Sequence, residues 1–288
     1  MGILKNLTPH SSLLKPLSGW LCASDVDGTL VADITSKMPK INKTAIARFR
    51  QLGGKFTIAS GRTAPSVARL MKHLNLEETP AVVLNGGGVY DCASEKMMRF
   101  YPIPKEGVLF ALELLQKFPQ VQFQVHRESS THIWNPGFLS RAVSSRDYLP
   151  RYFHSTPGDL PREGWGKAIF FGKKREMRPL KEYCKSLVNP PVYFMESSDY
   201  TLEILAPETH KGTALLDLAD MLGIDKERTA AIGNYDNDAG MMQCAAVTAA
   251  MANAPKDFQA KAQRVVRRER KGGVAEFLGI IERMAVKN

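Results

Sequence analysis

The sequence has little cysteine and no long hydrophobic run. Four cysteines among 288 residues stand far apart, with no C-x-x-C pair, which argues against a disulfide-rich secreted scaffold and favours reduced thiols. No segment approaches the roughly 18 consecutive apolar residues that a membrane helix needs. The first twenty residues also lack the continuous apolar core of a secretory signal. We therefore expect a cytoplasmic protein that does not associate with membranes.

Several sequence motifs are also absent. The chain has no zinc-finger spacing, no aromatic RNA-binding motif and no HExxH or GxxxxGK[ST] sequence. These absences argue against a zinc protease, a P-loop nucleotide enzyme and a sequence-specific nucleic-acid reader. The glycines of residues 85–90, NGGGVY, follow neither the P-loop nor the GxGxxG pattern, so they are weak evidence for a phosphate-binding loop.

Positive charge is in excess. Lys and Arg number 39 against 29 Asp and Glu, which gives a net charge of +10. A basic protein attracts anions such as nucleic acid, anionic lipid or phosphorylated small molecules. The densest basic run, residues 261–271, is most simply a solvated helix end and loop. Binding of nucleic acid is therefore a minor hypothesis, a small phosphorylated metabolite is the partner we expect, and the oligomeric state is not predicted.

Strand and helix patterns alternate near both ends of the chain. Apolar runs predict strands at 20–24, 55–60, 80–85 and 228–233, and helical periodicity predicts helices at 41–52, 63–74 and 211–222. Nearly all-apolar strands joined by helices are typical of a parallel sheet covered on both faces. The middle of the chain has alternating strand patterns at 121–128, 167–174, 192–198 and 200–207, the last two spaced as a hairpin.

These patterns predict an α/β protein with two parts. A Rossmann-like parallel-sheet core with helices on both faces takes residues 1–86 and 207–288. An α/β domain with a mixed or antiparallel sheet is inserted between them, over residues 87–206.

Polar residues collect after the predicted core strands. In open α/β sheets the chemistry lies at the carboxyl ends of the strands. The residues at those ends are Asp25, Asp27, Gly28, Thr29, Ser60, Gly61, Arg62, Asn85, Gly86, Gly233, Asn234, Asn237 and Asp238, and Lys211 opens the helix before the last of these strands. Mg²⁺ prefers oxygen ligands, and a lysine neutralises phosphoryl charge. Two carboxylates two residues apart can act as nucleophile and as acid or base, so the set fits phosphoryl chemistry.

Four motifs in this order resemble a known family. SDVDGTL, ASGR, HKG and IGNYDND are similar to the motifs of the haloacid dehalogenase-like phosphohydrolases. The long insertion between the second and third motifs resembles the Cof-type branch, whose α/β cap lies at that point. The resemblance spans residues 19–285. It implies a Mg²⁺-dependent phosphatase that hydrolyses a small phosphomonoester, such as a sugar phosphate or a phosphorylated cofactor, through an aspartyl-phosphate.

The resemblance also implies a role for each matching residue. Asp25 attacks phosphorus, and Asp27 protonates the leaving oxygen and then activates water. The residues implied in binding the phosphoryl group are Ser60, Gly61, Asn237 and Lys211, the last also catalytic. The residues implied as Mg²⁺ ligands are Asp25, Asp27 through its backbone carbonyl, Asn234 and Asp238.

One position departs from the family pattern. The fourth motif usually has GDxxND, but this chain has GNYDND, so Asn234 stands where an acidic ligand is expected. An amide oxygen still coordinates Mg²⁺ but brings no negative charge. We predict weakened rather than abolished metal binding, with Asp236 as a nearby substitute carboxylate.

Several alternatives stay open. The protein could be a phosphomutase of the same superfamily, or a catalytically weakened protein that binds a phosphorylated ligand. Ser60 could instead cap the following helix, Asn85 could only shape a turn, and Arg62 could be a surface contact. In the insertion, His126, Arg127, His132 and Trp134 could face the active site and contact the leaving group, although packing within the cap is the simpler interpretation.

Overall fold

A computed structural model describes residues 15–32 and 37–287. Its strands, in chain order, are β1 (Leu21–Ser24), β2 (Lys55–Ile58), β3 (Ala81–Val83), β4 (Gly88–Asp91), β5 (Lys96–Phe100), β6 (Gln122–His126), β7 (Thr131–Trp134), β8 (Arg151–His154), β9 (Lys167–Phe171), β10 (Tyr193–Ser198), β11 (Thr201–Leu205), β12 (Thr229–Gly233), β13 (Val247–Met251) and β14 (Arg264–Val266). Its α-helices are α1 (Lys40–Gln51), α2 (Ala64–Leu74), α3 (Lys105–Lys117), α4 (Phe138–Ser144), α5 (Lys174–Ser186), α6 (Lys211–Met221), α7 (Ala239–Cys244), α8 (Lys256–Gln259) and α9 (Gly273–Lys287).

The core sheet has the strand order β14-β13-β12-β1-β2, and every pair is parallel. Successive side chains point to opposite faces of a strand. Cys22 of β1 therefore joins the apolar cluster that includes α1 and α9, whereas Leu21 and Ala23 join the cluster that includes α6 and α7. The sheet is thus buried on both faces, which confirms the predicted α/β class and explains why its strands are almost entirely apolar.

Local sequence signals set the bounds of the first crossovers. Helix α1 ends at Gln51, just before the glycine pair at 53 and 54. Helix α2 begins after Thr63 with a proline in its first turn, and Asn75 closes it in the left-handed conformation. The end of α1 leads into β2, and the end of α2 leads into β3.

A small meander flanks the core sheet. Strands β3, β4 and β5 pair antiparallel, and an isolated parallel bridge joins Val82 of β3 to Ala59 just after β2. The division into a core (1–86 and 207–288) and a cap (87–206) remains a prediction. Strands β4 and β5 lie in its cap range but pair with β3.

The inserted sheet has the order β10-β11-β9-β6-β7-β8. Its pairs are antiparallel except for β7 and β8, and β10 and β11 form the predicted hairpin. Its own apolar cluster contains Phe123, Trp165 and Phe170, all fully buried. No helix among the described residues has both the length and the apolar character needed to cross a membrane.

Candidate active site

The loop after β1 forms one wall of the site. The Asp25 N–H donates to the Ile232 carbonyl of β12 (3.0 Å), so strand pairing fixes the nearly buried Asp25 carboxylate between two strand ends. Gly28 has a φ of +81°, and a Cβ there would lie 2.4 Å from a terminal atom of the Asn234 amide. Glycine therefore permits both the turn and the close approach of the loop that follows β12.

Lys211 lies between two carboxylates. Its side chain has no exposed surface, and Nζ donates to Asp25 Oδ1 (2.6 Å) and to Asp238 Oδ1 (2.7 Å). Burial opposes the charge on Lys211, but Asp238 and Asp25 raise its pKa above the ordinary value. Burial raises the pKa of Asp25 to about 6, with Asp238 adding to this effect and Lys211 opposing it. The lysine thus brings three sequence-predicted residues into one buried charged cluster.

Asp238 also shapes the loop that carries Asn234. Its Oδ2 accepts from the backbone N–H groups of Asn234 (2.9 Å) and Tyr235 (3.3 Å). Both carboxylate oxygens of Asp238 are therefore engaged by protein donors, and its role as a direct Mg²⁺ ligand stays a prediction. Asp236 pairs at the surface with Lys261 (2.9 Å), so the idea that its carboxylate substitutes in the site is wrong for this structure.

Ser60 and Asn85 line the same cavity as Asp25. The Ser60 hydroxyl accepts from the Arg62 N–H (3.3 Å) and does not cap α2, whose N-cap is Thr63. Asn85 adopts a φ of +57° and also makes side-chain contacts, because its Oδ1 accepts from Asn237 (3.3 Å). Asn85 thus shapes the turn and also links the loops after two different strands.

The Asn234 amide lies where oxygen ligands converge. One of its terminal atoms is 3.1 Å from Asp25 Oδ2, 3.2 Å from the Asp27 carbonyl oxygen and 3.0 Å from Thr29 Oγ1. If that atom is the nitrogen, it donates to all three oxygens. If it is the oxygen, its spacing from Asp25 and Asp27 is that of neighbouring ligands around an octahedral Mg²⁺ ion, which are about 3 Å apart at Mg–O distances near 2.1 Å.

These residues fit a Mg²⁺ ion. Among residues 15–32 and 37–287, no group of three or more His, Cys, Asp or Glu side chains could hold a metal. A site here would therefore use one carboxylate, one backbone carbonyl and one amide. Mg²⁺ accepts such a small protein ligand set, since it keeps several waters or takes substrate phosphate oxygens.

Asp27 is tied to Arg62. The Arg62 Nη2 donates to both Asp27 carboxylate oxygens, at 2.8 and 2.9 Å. The Asp27 side chain is 44% exposed, so it stands at the opening of the site, unlike the buried Asp25. The sequence favoured a core-to-cap or surface contact for Arg62 and left a role toward the substrate open. A contact between residues 35 positions apart leaves no local signal in the sequence.

Side chains of the inserted domain close over these loops. Lys167 of β9 donates to the Gly61 carbonyl (2.7 Å) and pairs with Glu203 of β11 (3.0 Å), which accepts from Asn85 (2.7 Å). Burial works against the Glu203 carboxylate, but Lys167 and hydrogen bonds lower its pKa. None of these cap residues was predicted, because their positions depend on contacts between distant segments.

A cavity of about 770 Å³ lies between the core loops and the cap. Its described lining includes Asp25, Ser60 and Asn237 at the core end and His126 and Asp147 on the cap. Of the four cap residues considered from the sequence, His126 alone belongs to this lining; Arg127, His132 and Trp134 do not. Burial and the nearby Lys167 lower the pKa of His126 far below its ordinary value, so this side chain meets the cavity uncharged.

Comparisons with known proteins give the same family that the four motifs resemble. The sequence matches the haloacid dehalogenase-like hydrolase family over residues 22–278. The 5-amino-6-(5-phospho-D-ribitylamino)uracil phosphatase YwtE of Bacillus subtilis is 27% identical over 89% of this chain and 96% of its own. The pyridoxal phosphate phosphatase YbhA of Escherichia coli is 23% identical over 89% and 96%. A haloacid dehalogenase-like hydrolase from Bacteroides thetaiotaomicron shares the fold, with a TM-score of 0.75 at 22% identity over 92% and 99% of the two chains.

Proposed function

The chain belongs to the haloacid dehalogenase-like hydrolases and is a phosphatase, and we propose that it hydrolyses small phosphomonoesters with Mg²⁺ through an aspartyl-phosphate on Asp25. One observation carries the proposal: Lys211 is fully buried and bridges Asp25 and Asp238. A buried cation next to a buried carboxylate is suited to an incoming dianionic phosphoryl group.

In the first step, an oxygen of Asp25 forms a bond to phosphorus while the bond from phosphorus to the leaving oxygen breaks. Asp27 gives its proton to that oxygen, so an alcohol departs. In the second step, water loses a proton to Asp27 and attacks phosphorus. The bond between phosphorus and Asp25 breaks, and inorganic phosphate is released.

The other residues bind and orient. Lys211 neutralises phosphoryl charge, while Ser60, Gly61 and Asn237 contact the phosphoryl oxygens. Asp25, the Asp27 carbonyl and Asn234 would hold Mg²⁺, and Asp238 would act through Lys211 and the loop. When bound, the ion would supply further positive charge to the phosphoryl oxygens.

Two features support a metabolite as the substrate. A cavity of about 770 Å³ is in the size range of small-molecule sites. The names of two relatives specify substrates with phosphate on a ribityl chain and on pyridoxal, in line with a sugar phosphate or a phosphorylated cofactor.

The four cysteines are free thiols, three of them buried, which supports a cytoplasmic location.

The test is release of inorganic phosphate from p-nitrophenyl phosphate and a panel of sugar phosphates and phosphorylated cofactors. We expect Mg²⁺-dependent release that EDTA abolishes and that Asp25→Asn lowers by at least about a thousandfold, as expected for loss of a nucleophile. Chromatography of the products separates hydrolysis from isomerisation by a phosphomutase. Binding of phosphorylated ligands without release in any arm would favour the weakened, ligand-binding alternative instead.

A further inference from the structure

Three basic side chains stand at the open end of the active-site cavity. Arg69 and His73 of α2 and Arg146 of the loop after α4 line the same cavity as Asp25 and Ser60. All three are exposed, whereas Asp25, Ser60 and Asn85 at the other end are buried. The open end of the cavity is thus the part where these basic side chains are in contact with water.

The charges that line the cavity are paired unevenly. Three of its carboxylates have a cationic partner: Asp25 with Lys211, Asp27 with Arg62 and Glu203 with Lys167. The fourth, Asp147, accepts from Gln124 (2.8 Å) and from Thr131 (3.3 Å).

The three basic side chains at the open end have no such partner. Within the described parts of the chain, Arg69, Arg146 and His73 make no ion pair. The two arginines therefore bring positive charge to this end without neutralisation by the protein.

Helix α2 of the core contacts the cap loop that carries Arg146. Arg69 and His73 lie one turn apart on α2 and so share a helix face. The Arg69 guanidinium stacks 4.4 Å from the centre of the Tyr148 ring. The Thr63 hydroxyl donates to the Asp147 carbonyl (2.6 Å), which ties the cap loop to the start of the helix. These two contacts hold α2 and the cap loop together, so their basic side chains line one shared opening.

We propose that this open end binds a second anionic group, carried by the part of the substrate that leaves. The inference rests on the phosphatase function proposed above and narrows its substrate class. A helix rises about 1.5 Å per residue, so Arg69 and His73 lie roughly 8 and 14 Å along α2 from Ala64. The substrate is therefore an elongated phosphomonoester whose carboxylate or second phosphate reaches on the order of 10 Å along α2 from its first turn.

Equilibrium binding to Asp25→Asn tests the proposal without turnover. Calorimetry with Mg²⁺ present would compare fructose 6-phosphate with fructose 1,6-bisphosphate, and glucose 6-phosphate with 6-phosphogluconate. The first pair adds a phosphate and the second adds a carboxylate. We expect the partner with the second anionic group, in at least one pair, to bind about tenfold tighter at low salt, with a smaller ratio at 0.5 M NaCl because exposed charges are screened.

The variants Arg69→Gln and Arg146→Gln, combined, should bring this ratio close to one. Lys72→Gln is the matched control, because Lys72 lies on the same helix but does not line this cavity. A ratio near one in Asp25→Asn itself, or one that the double variant leaves unchanged, would overturn the proposal. Phosphate release by the wild type is scored separately: a charge-dependent ratio without release would uphold the anion site and refute the phosphatase mechanism.

Discussion

At the scale of single residues, the departure at position 234 has a definite chemical consequence. Asn234 meets the same two oxygens that would face Mg²⁺, those of Asp25 and the Asp27 backbone. An amide satisfies these oxygens by donating its N–H₂ group and serves a cation by presenting its oxygen. With its nitrogen toward these oxygens the amide hydrogen-bonds to them, and metal binding then requires the amide to turn its oxygen toward the ion.

Replacing Asn234 by Asp should tighten Mg²⁺ binding by roughly tenfold, because the new carboxylate adds negative charge to the ligand set. The same variant should be less stable without metal, since it places a third carboxylate beside Asp25 and Asp238 and loses the amide donor. Calorimetric titration with Mg²⁺ and thermal unfolding with EDTA measure the two effects. Equal affinities in the two proteins would show that the side chain at this position does not tune the site.

Arg62 is a positioning residue for Asp27. Its bidentate contact fixes the exposed carboxylate at the opening of the site, and a lysine keeps the charge but not the two parallel hydrogen bonds. Arg62→Lys should lower kcat for alkyl phosphates about tenfold to a hundredfold. The effect on the first-turnover release of nitrophenolate from p-nitrophenyl phosphate should be much smaller, because nitrophenolate leaves without a proton from Asp27.

The matched control for that prediction is Arg48→Lys. Arg48 makes an equivalent bidentate contact with Glu282 on the far helices α1 and α9. Its kinetics toward both kinds of ester should equal those of the wild type. A uniform loss across leaving groups in Arg62→Lys would place Arg62 in phosphoryl binding instead.

At the scale of elements, two strands of the six-stranded sheet hold a buried acid that lines the cavity. Asp147 follows α4 and accepts from Gln124 of β6 and Thr131 of β7. Burial raises its pKa from 3.8 to about 6, with Lys167 and the hydrogen bonds opposing this shift. The folded protein therefore binds this proton more tightly than the unfolded chain does, and stability falls as pH rises through the interval between the two values.

The variant Asp147→Asn isolates this effect. From about pH 7.5 to pH 4.5, the wild type should gain about 2 kcal/mol of unfolding free energy relative to the variant, because protonation relieves the buried charge in the wild type only. Urea unfolding of both proteins at a series of pH values measures the difference. A difference that is constant with pH, or that changes in the opposite direction, would show that Asp147 keeps an ordinary carboxyl environment.

The sequence predicts the core elements well and the small flanking ones poorly. The runs at 20–24, 55–60 and 228–233 became β1, β2 and β12, because fully buried parallel strands are apolar throughout. Strands β4, β5, β8 and β14 were not predicted. All four are short, and β5, β8 and β14 carry mostly exposed residues, whereas β4 has buried and half-buried ones, so neither a continuous apolar run nor a clear alternation marks them.

At the scale of the whole molecule, the motifs predict which residues meet but not how they are paired. Placing Asp25, Ser60 and Asp238 at one sheet edge needs only the rule for strand ends. In the structure Asp25 and Ser60 line one cavity, and Lys211 bridges Asp25 to Asp238. The position of Lys211 between Asp25 and Asp238, and the contact of Lys167 with Gly61, depend on packing between distant segments. Such contacts leave no local pattern in a single sequence.

The family resemblance found in four motifs is confirmed by the match over residues 22–278. Buried polar contacts close one side of the site, since Lys167, Glu203 and Asn85 connect β9 and β11 to the loop after β3. This closure leaves the open end lined by Arg69 and Arg146 as the part of the cavity where the two domains meet solvent.

In the proposed mechanism, the phosphoryl group passes through a covalent bond to Asp25. The most direct measurement is acid quench of the enzyme in the presence of Mg²⁺ and its best substrate, followed by mass spectrometry of the peptides. We expect one added phosphoryl group on the peptide that contains Asp25, absent in Asp25→Asn and present in Arg48→Lys. Multiple-turnover phosphate release with a phosphoryl group trapped on a different residue would contradict it.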